Sequence, residues 1–195
     1  MNNKIAVMAS GKGSNLQAIL DGIAKGECSA QVEVVICNKA DAGALQIAKD
    51  VGVPNVHFVN PKAYDDREAY DKACADIIQA SDCVLIVLAG YMRILSASFI
   101  QAFPNQIINI HPSLLPAFKG ADAVGEALKA GVKVSGCTVH YVTEELDSGV
   151  ILAQACVPVF DGDNWHSLHQ RIQVEEYKVY PSVVHKLITD FFAAS

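Results

Sequence analysis

Apolar positions follow two spacings through the first half of the chain. Runs rich in β-branched residues predict strands at 4–9, 31–37, 55–59, 82–90 and 106–110. Between these runs, apolar residues recur three and four positions apart, which predicts helices at 14–24, 42–51 and 96–103. A further helix is predicted to open with a capping box at Asp65 and Glu68. Alternating strands and helices predict an α/β fold whose parallel strands are joined by right-handed crossovers.

The pattern changes after His111. Two longer strand-like runs, 132–142 and 150–159, are joined by the polar segment 143–149, as in an antiparallel hairpin at a sheet edge. Asp163 is predicted to cap a last helix, which is interrupted at Pro181. Because the sequence shows no internal repeat or linker, we expect residues 1–195 to form one Rossmann-like domain. Its sheet is expected to be mostly parallel and twisted, with the antiparallel C-terminal hairpin at one edge.

Composition narrows the class of protein. Of the 195 residues, 51% are hydrophobic and 18% are charged, which excludes a disordered chain. The longest apolar run, 83–90, is far shorter than the roughly 18 residues of a membrane span. The first five residues lack the features of a signal peptide, so we expect a cytoplasmic protein without membrane attachment. The net charge of -6, with scattered Lys and Arg, disfavours binding to nucleic acid.

The cysteines and histidines do not predict a metal site. None of the six cysteines has the spacing of a metal or redox motif, so we expect buried thiols in a reducing compartment. Those inside apolar runs are Cys37, Cys83, Cys137 and Cys156. His166 and His169 stand three residues apart, but no third ligand has suitable spacing. We therefore expect no bound metal.

A loop rich in glycine and serine, 10–15, joins the first strand to the first helix. Gly11 and Gly13 allow close backbone approach, and the N–H groups and dipole of the helix start favour an anion. Leu16 stands where a dinucleotide fingerprint needs its last glycine, and the loop lacks the spacing of a Walker motif. We interpret the loop as a monophosphate cradle, with a plain turn as the alternative.

A second group of polar residues follows the fifth strand. Asn109 and His111 are two positions apart, so in an extended segment both side chains point to the same side, where they can stabilise a developing oxyanion. Asp147, in the hairpin connection, is predicted to hold His111 in its charged form and to receive a proton. Taken singly, such a histidine is more often structural and such an aspartate a turn residue. The other histidines are interpreted as structural: His57, His140, His166, His169 and His185.

These motifs, in this order, resemble those of the folate-dependent phosphoribosylglycinamide formyltransferases of purine biosynthesis. The resemblance runs from Lys4 to about Pro181. Its motifs are Ser10-Gly-x-Gly-Ser-Asn15, Asn38-Lys-Ala-Asp-Ala42, Leu88-Ala-Gly-Tyr-Met-Arg-Ile-Leu95, Asn109-Ile-His-Pro-Ser-Leu-Leu-Pro116, Gly136-Cys-Thr-Val-His140 and Asp147-Ser-Gly149. The resemblance implies transfer of the formyl group of 10-formyltetrahydrofolate to the amine of glycinamide ribonucleotide. The partners are thus expected to be small molecules, and a monomer and a homodimer both stay open.

The resemblance also implies roles for individual residues. The catalytic residues would be Asn109, His111 and Asp147. The phosphate of the ribonucleotide would be held by Gly13, Ser14 and Asn15, and the rest of it would be contacted by Gln173, Val174, Glu175 and Glu176. The folate pocket would be lined by Arg67, Met92, Arg93, Ile94, Leu95 and Asn109, with Thr143, Glu144, Glu145, Leu146 and Asp147 closing over the pterin.

The periodicity of the last helix supports one of these assignments independently. Leu168, Ile172 and Glu176 share one stripe, and a carboxylate on an apolar stripe is costly unless a partner, such as the hydroxyls or ammonium of a substrate, faces it. The alternative is a stripe that turns toward solvent near Pro181. For Arg67, the alternative is an exposed charge in the first turn of its helix.

One position departs from the family pattern. Asp122 stands where these enzymes often carry a histidine, and two effects stay open: a carboxylate there could favour the substrate amine or repel its phosphate. The hairpin connection 143–149 is polar and ends at Gly149, so we also expect it to be mobile without folate.

Three other activities fit parts of the pattern. A formyltetrahydrofolate hydrolase shares the Asn-x-His…Asp core, but such enzymes usually carry an extra N-terminal regulatory domain. A methionyl-tRNA formyltransferase needs an extra C-terminal domain for tRNA, and few residues follow Pro181 here, so neither of these longer relatives is expected. A non-catalytic nucleotide-binding module accounts for the glycine loop but leaves Asn109, His111 and Asp147 unexplained.

Overall fold

A seven-stranded sheet forms the centre of the fold, and helices cover both of its faces. The computed structural model describes residues 2–193; Met1, Ala194 and Ser195, which the predicted domain includes, lie outside the described residues. The strands are β1 (Lys4–Ala9), β2 (Gln31–Cys37), β3 (Asn55–Phe58), β4 (Leu85–Leu88), β5 (Ile107–His111), β6 (Val134–Tyr141) and β7 (Ile151–Pro158). The α-helices are α1 (Ser14–Ala24), α2 (Gly43–Asp50), α3 (Arg67–Ala80), α4 (Ala97–Ala102), α5 (Ala123–Ala130) and α6 (Trp165–Ala193).

The strands lie in the order β3-β2-β1-β4-β5-β6-β7. The first five strands pair in parallel, whereas β6 is antiparallel to both β5 and β7. This topology confirms the predicted α/β fold with an antiparallel C-terminal hairpin at one edge. From β1 the chain adds β2 and β3 on one side of the sheet, and then β4 and β5 on the other side. Open sheets of this kind bind ligands outside the carboxyl ends of the strands, at the point between β1 and β4 where the order switches.

The two faces of the sheet are both apolar, as the alternating side chains of β1 illustrate. On one face Ile5 and Val7 belong to the same core as Ile172 of α6. On the other face Met8 packs in a second core with Tyr70 of α3. Burial on both sides is typical of parallel sheets, and it leaves the strand ends as the place where polar side chains gather.

Helix α6 runs through Pro181 without interruption, so the predicted break there is wrong. Proline costs about 3 kcal/mol in a helix interior because it lacks an N–H group and crowds the preceding turn. Here the proline is buried against α1, where Gly22 leaves room: a Cβ on Gly22 would lie 3.2 Å from the Cβ of Pro181. Packing of α6 along α1 therefore outweighs the local cost. Neither α6 nor any other helix within residues 2–193 is long and apolar enough to cross a membrane.

Helix α5 is not predicted by the apolar pattern, because its eight residues offer too few repeats and include a glycine. Asp122 provides its N-cap, since Oδ1 accepts a hydrogen bond from the N–H of Gly125 at 3.2 Å. The same oxygen accepts from Nε1 of Trp165 at 3.1 Å. The residue that departs from the family pattern thus joins the start of α5 to the start of α6.

Helix α3 is capped by Asp66 rather than by the predicted Asp65. The Asp66 backbone is extended, and its Oδ1 accepts from the N–H of Ala69 at 2.8 Å. Both aspartates are exposed, so only the backbone conformation at the helix start decides which carboxylate reaches the free N–H groups.

The Asp66→Ala variant is expected to lower the free energy of unfolding by about 1 kcal/mol, the usual cost of losing an N-cap. Asp65→Ala is the matched control, because its carboxylate is an exposed neighbour of the same type that does not cap α3. Urea unfolding of both variants measures the difference. Equal losses in the two variants would contradict the assignment of the cap.

The cysteines are buried less uniformly than predicted. Cys37 and Cys137 are buried, and burial raises the pKa of Cys37 to about 11 and that of Cys137 to about 12. Cys83 is half-buried, and Cys156 is exposed on β7, so the prediction of a buried thiol is wrong at Cys156. β7 is the last strand of the sheet, and of its side chains only that of Val157 is buried.

Candidate active site

A cleft of about 310 Å³ opens where β4 and β5 end. Its lining consists of Leu88, residues 90–95, Ile100, residues 109–111, Gly120, Ala121, His140 and residues 142–147. Every residue predicted for the folate pocket lines this cleft except Arg67, which is exposed in the first turn of α3. The fold therefore brings together side chains that are far apart in the sequence.

His111 is buried at the end of β5 and has an oxygen atom near each ring nitrogen. Its Nε2 lies 2.8 Å from the carbonyl oxygen of Phe118, and its Nδ1 lies 3.5 Å from Oδ2 of Asp147. A carbonyl oxygen only accepts hydrogen bonds, so Nε2 carries the hydrogen. Only the imidazolium form then also presents an N–H to the carboxylate. The geometry suits a positively charged His111 that is held by Asp147.

Asp147 is held from two sides. Its Oδ2 accepts from the N–H of Gly120 at 2.9 Å, and its Oδ1 lies 3.7 Å from Nε2 of His140. The φ of Asp147 is 49°, in the left-handed region that aspartate enters more readily than most residues. The carboxylate is 7% exposed, and its charge therefore acts more strongly on His111 than it would in water.

His140 belongs to the same cluster, although the sequence pattern suggests only a structural role. It lies opposite Asn109 in the pairing of β5 with β6, and its Nε2 is 3.4 Å from Nδ2 of Asn109. Its Nδ1 lies 2.9 Å from the carbonyl oxygen of Tyr141. Burial lowers the pKa of His140, so the neutral ring donates from Nδ1 and accepts the Asn109 hydrogen at Nε2. Only the register of the two strands reveals this contact.

Asn109 and His111 both line the cleft, as does Ile110 between them. The amide nitrogen of Asn109 carries two hydrogens, of which one is directed to His140. The other hydrogen is left for a ligand in the cleft. An amide donor and a positive ring thus converge on one small region, which is an arrangement that can stabilise an oxyanion.

Arg93 and Tyr91, which line the cleft, are both supported by Tyr70. The guanidinium of Arg93 lies over the ring of Tyr70, 4.7 Å from its centroid. The hydroxyl groups of Tyr70 and Tyr91 are 3.0 Å apart. Arg93 is therefore held against an aromatic face, an interaction that restrains its orientation at the wall of the cleft.

The junction of β1 and α1 has the backbone geometry of an anion site. Gly13 precedes α1 with a φ of 83°, and a Cβ at this position would lie 2.7 Å from the Cα of Ala44, so only glycine fits. No side chain among residues 2–193 caps this end of α1, which leaves its first N–H groups available to a ligand. Oγ of Ser10 accepts from the N–H of Met92 at 2.8 Å and ties the loop to the wall of the cleft.

Glu176 and Asn15 form a buried pair between α6 and α1. Nδ2 of Asn15 donates to Oε2 of Glu176 at 3.1 Å, and Glu176 is 5% exposed, so the alternative of a stripe turning to solvent is wrong. Burial raises the pKa of Glu176. Oδ1 of Asn15 is also buried and has no hydrogen-bond partner within the described part of the chain. An unpaired acceptor beside a carboxylate suits a ligand that donates hydrogen bonds, such as a sugar hydroxyl.

Tyr180 brings this pair next to the cleft. Its hydroxyl donates to the carbonyl oxygen of Leu88 at 2.9 Å and shares the hydrogen with that of Ile108 at 3.2 Å. Tyr180 lies one helical turn after Glu176, and Asn109 directly follows Ile108. The predicted ribonucleotide site and the predicted catalytic site therefore adjoin at the carboxyl ends of β4 and β5.

The other residues predicted to contact the ribonucleotide have varied surroundings. Ser14 and Gln173 are half-buried, and Gln173 lies three residues before Glu176, on the same face of α6. Val174 is 52% exposed, and the Glu175 carboxylate pairs with Lys178 at 2.8 Å. The structure thus brings Gln173 to the same face as Glu176 but not Val174 or Glu175.

The Glu176→Gln variant is expected to raise the free energy of unfolding at neutral pH. The amide avoids the cost of burying a charge, and it can also donate to Oδ1 of Asn15. A carboxyl group whose pKa is raised by folding destabilises the native state as the pH rises above its ordinary value, 4.5. The gain over wild type is therefore small at pH 4 and larger at pH 7.

Urea unfolding at both pH values measures this gain. Glu175→Gln is the control, since its carboxylate is less buried and is paired with Lys178. A Glu176→Gln variant that is no more stable than wild type at pH 7 would show that the buried charge carries no cost.

Within residues 2–193, no group of three His, Cys, Asp or Glu side chains is placed to hold a metal ion. Of the histidine pair noted in the sequence, His166 is exposed. His169 stacks on Trp165, with the ring centroids 4.4 Å apart.

The fold is that of a known class of enzymes. Residues 3–184 match the family described as formyl transferase. The chain belongs to the formyl transferase family and is a formyltransferase.

The chain is similar to several named proteins. Phosphoribosylglycinamide formyltransferase of Bacillus subtilis is 43% identical over 95% of this chain and 94% of its own length. The human trifunctional purine biosynthetic protein adenosine-3 is 42% identical over 93% of this chain, which spans 18% of that protein. The crystal structure of glycinamide ribonucleotide transformylase 1 from Symbiobacterium toebii is 48% identical, with a TM-score of 0.94 over 97% of this chain and 89% of that one.

Proposed function

We propose that the protein transfers the formyl group of 10-formyltetrahydrofolate to the amine of 5-phosphoribosylglycinamide, a step of purine biosynthesis. The observation that carries this proposal is the meeting of Asn109, His111 and Asp147 at a cleft next to the pair of Asn15 and Glu176. The similarity to phosphoribosylglycinamide formyltransferases over most of the chain supports the same acceptor.

The cleft suits the ring system of a folate. Its volume, about 310 Å³, lies at the lower end of the roughly 300–1,000 Å³ of small-molecule sites, so the tail of the folate extends outside. The side chains of Met92 and Leu146 are 74% and 51% exposed at its wall, and an apolar ligand would cover them. Residues 142–147 line one side of the cleft and include polar side chains, which a heterocycle with several polar edges can contact.

The ribonucleotide fits the surface between α1 and α6. Its phosphate is placed at the start of α1, where N–H groups and the helix dipole favour an anion. Its ribose hydroxyls are placed at Glu176 and at Oδ1 of Asn15, both of which accept hydrogen bonds. With a net charge of -6, the protein does not attract this anion as a whole, so capture depends on these local contacts.

The reaction begins with attack of the acceptor amine on the formyl carbon. A C–N bond forms, and the formyl oxygen takes the electron pair of the C=O bond as an oxyanion. Asn109 donates a hydrogen bond to this oxyanion. His111 contributes its positive charge, and its Nε2–H passes from the carbonyl oxygen of Phe118 to the oxyanion.

The second step breaks the bond between the formyl carbon and the folate nitrogen. Asp147, whose negative charge holds His111 positive up to this point, takes a proton from the attacking amine, directly or through water. The C=O bond forms again, and the folate nitrogen leaves with the proton that Asp147 took up, which restores the Asp147 carboxylate. The products are tetrahydrofolate and the formylated ribonucleotide, so atoms and charges balance.

An absorbance assay for the folate product tests this function. Release of tetrahydrofolate that depends on added 5-phosphoribosylglycinamide supports it. Equal release without the acceptor would identify a hydrolase instead. Binding of both substrates without release would identify a non-catalytic module and contradict the proposal.

A further inference from the structure

Lys119 stands between two backbone groups that contact the catalytic side chains. The carbonyl oxygen of Phe118 accepts from Nε2 of His111, and the N–H of Gly120 donates to Oδ2 of Asp147. Lys119 itself has no part in the proposed chemistry. Its backbone nevertheless belongs to a segment, 118–120, that contacts both residues.

The side chain of Lys119 reaches across to the loop that carries Asp147. Its Nζ donates to Oγ of Ser148 and lies 3.7 Å from Oε1 of Glu145. Oγ of Ser148 in turn donates to the carbonyl oxygen of Leu146 at 2.9 Å. These contacts lie on both sides of Asp147 in the sequence, so one ammonium group ties the loop 143–149 to segment 118–120.

The loop depends on such polar contacts for its position. The residues from Thr143 to Leu146 are exposed, and apolar burial therefore contributes little to holding them. Asp147 has a φ of 49°, a conformation that persists only where the surroundings support it. A second tether joins Nε2 of Gln101 to Oε1 of Glu144 at 2.9 Å. It lies at the far end of the loop from Asp147, whereas Lys119 and Gly120 contact the loop at Ser148 and Asp147.

We propose that Lys119 is a positioning residue: its ammonium group holds the loop 143–149 closed and thereby keeps Asp147 against His111. The kinetic part of this inference rests on the proposed function. Because residues 142–147 line the folate side of the cleft, loss of the tether raises the KM for the folate donor and lowers kcat. The KM for the ribonucleotide stays unchanged, since Asn15 and Glu176 bind each other and not Lys119.

The two contacts of the Lys119 ammonium group differ in strength. Glu145 is 79% exposed, so its ion pair with Lys119 is largely screened by water. The charged hydrogen bond to Ser148 is therefore the main contact. Ser148→Ala should change the exchange rate of the loop 143–149 and the kinetic constants in the same direction as Lys119→Met. The effects of the double variant should be little larger than those of either single variant.

Lys119→Met is the principal test, because methionine keeps the length of the side chain without the ammonium group. In wild type and variant we would measure hydrogen–deuterium exchange of a peptide that covers 143–149, together with steady-state kinetics for each substrate. Lys133→Met is the matched control, since Lys133 also forms an ion pair, with Asp161, but on an exposed surface outside the cleft. Lys119→Arg should restore most of the wild-type behaviour, because it keeps a charged donor.

For Lys119→Met, we expect hydrogen–deuterium exchange at 143–149 to become about tenfold faster. We expect kcat/KM for the folate donor to fall by about tenfold, in line with the loss of one charged hydrogen bond. Unchanged exchange overturns the proposal, and so does faster exchange with an unchanged kcat/KM for the donor. An equal rise in the KM of both substrates also overturns it, since that points to general loosening. If the wild-type protein transfers no formyl group, the proposed function fails. The exchange data alone then decide whether Lys119 holds the loop 143–149 in place.

Discussion

Replacing His111 with alanine is expected to lower kcat by about 10²–10³, the usual cost of removing one group that stabilises an oxyanion. The variant loses both the positive charge beside Asp147 and the Nε2 hydrogen. Its KM values should change little, because the contacts assigned to the ribonucleotide at Asn15 and Glu176 are untouched. Initial rates of tetrahydrofolate release at saturating concentrations of both substrates measure the effect.

His57→Ala is the matched control for this variant. His57 lies on β3, at the opposite edge of the sheet from β5–β7, and its loss should leave kcat near the wild-type value. Far-ultraviolet circular dichroism and a thermal melt show whether each variant is folded. Near-normal turnover by folded His111→Ala would show that the ring does not stabilise the transition state.

Replacing Asp147 with asparagine is expected to lower kcat by about 10²–10⁴, the range ascribed to one positioned acid–base group. The change is nearly isosteric, and the amide oxygen can still accept from the N–H of Gly120, so the loop keeps this contact. What the variant loses is the negative charge beside His111 and the acceptor for the amine proton. Single-turnover rates of formyl transfer isolate this loss from substrate binding.

Asp161→Asn provides the control, because Asp161 is an exposed carboxylate whose partner is Lys133. It should transfer formyl groups at the wild-type rate. If Asp147→Asn does so as well, the amine proton leaves by another route, and the neutral ring of His140 becomes the candidate acceptor in the same cluster. Such a result would leave the oxyanion assignment of Asn109 and His111 in place.

Local patterns predicted much of the fold with little error. The apolar runs at β1 and β2 and the helical spacing at α1 have the bounds that the structure shows. Burial on both faces of a parallel sheet produces continuous apolar strands, and such runs can be recognised without knowing their neighbours. The spacing of Asn109 and His111 predicted that both side chains point to one side of the strand, since alternation along a strand is a local property, and both residues line the cleft.

The errors occur where backbone conformation or a distant part of the chain decides the local structure. Pro181 remains inside α6 because Gly22 of α1 accommodates its ring. Asp66 rather than Asp65 caps α3 because the backbone at the helix start turns its carboxylate toward Ala69. In each case the sequence shows residues of suitable type, but backbone conformation at α3 and packing at α6 decide the outcome.

The same distinction between local pattern and tertiary structure applies to the residues of the candidate site. Arg67, which the family pattern assigns to the folate pocket, is exposed outside the cleft, and Val174 and Glu175 do not share the face of Glu176. His140 joins the catalytic cluster through strand register, a long-range property that periodicity does not contain.

The sequence by itself determined the α/β class, the positions of the glycine loop and of Asn109 and His111, and the family to which the chain is similar. These features depend on residue type and on spacing along the chain, which burial and backbone geometry constrain locally. The tertiary structure alone decided that His140 meets Asn109, that Glu176 meets Asn15 and that Lys119 meets the loop beside Asp147, and it gave the distance between Asp147 and His111, whose contact the sequence predicts. Those contacts join residues far apart in sequence, and only the packed sheet and helices bring their atoms within hydrogen-bonding distance.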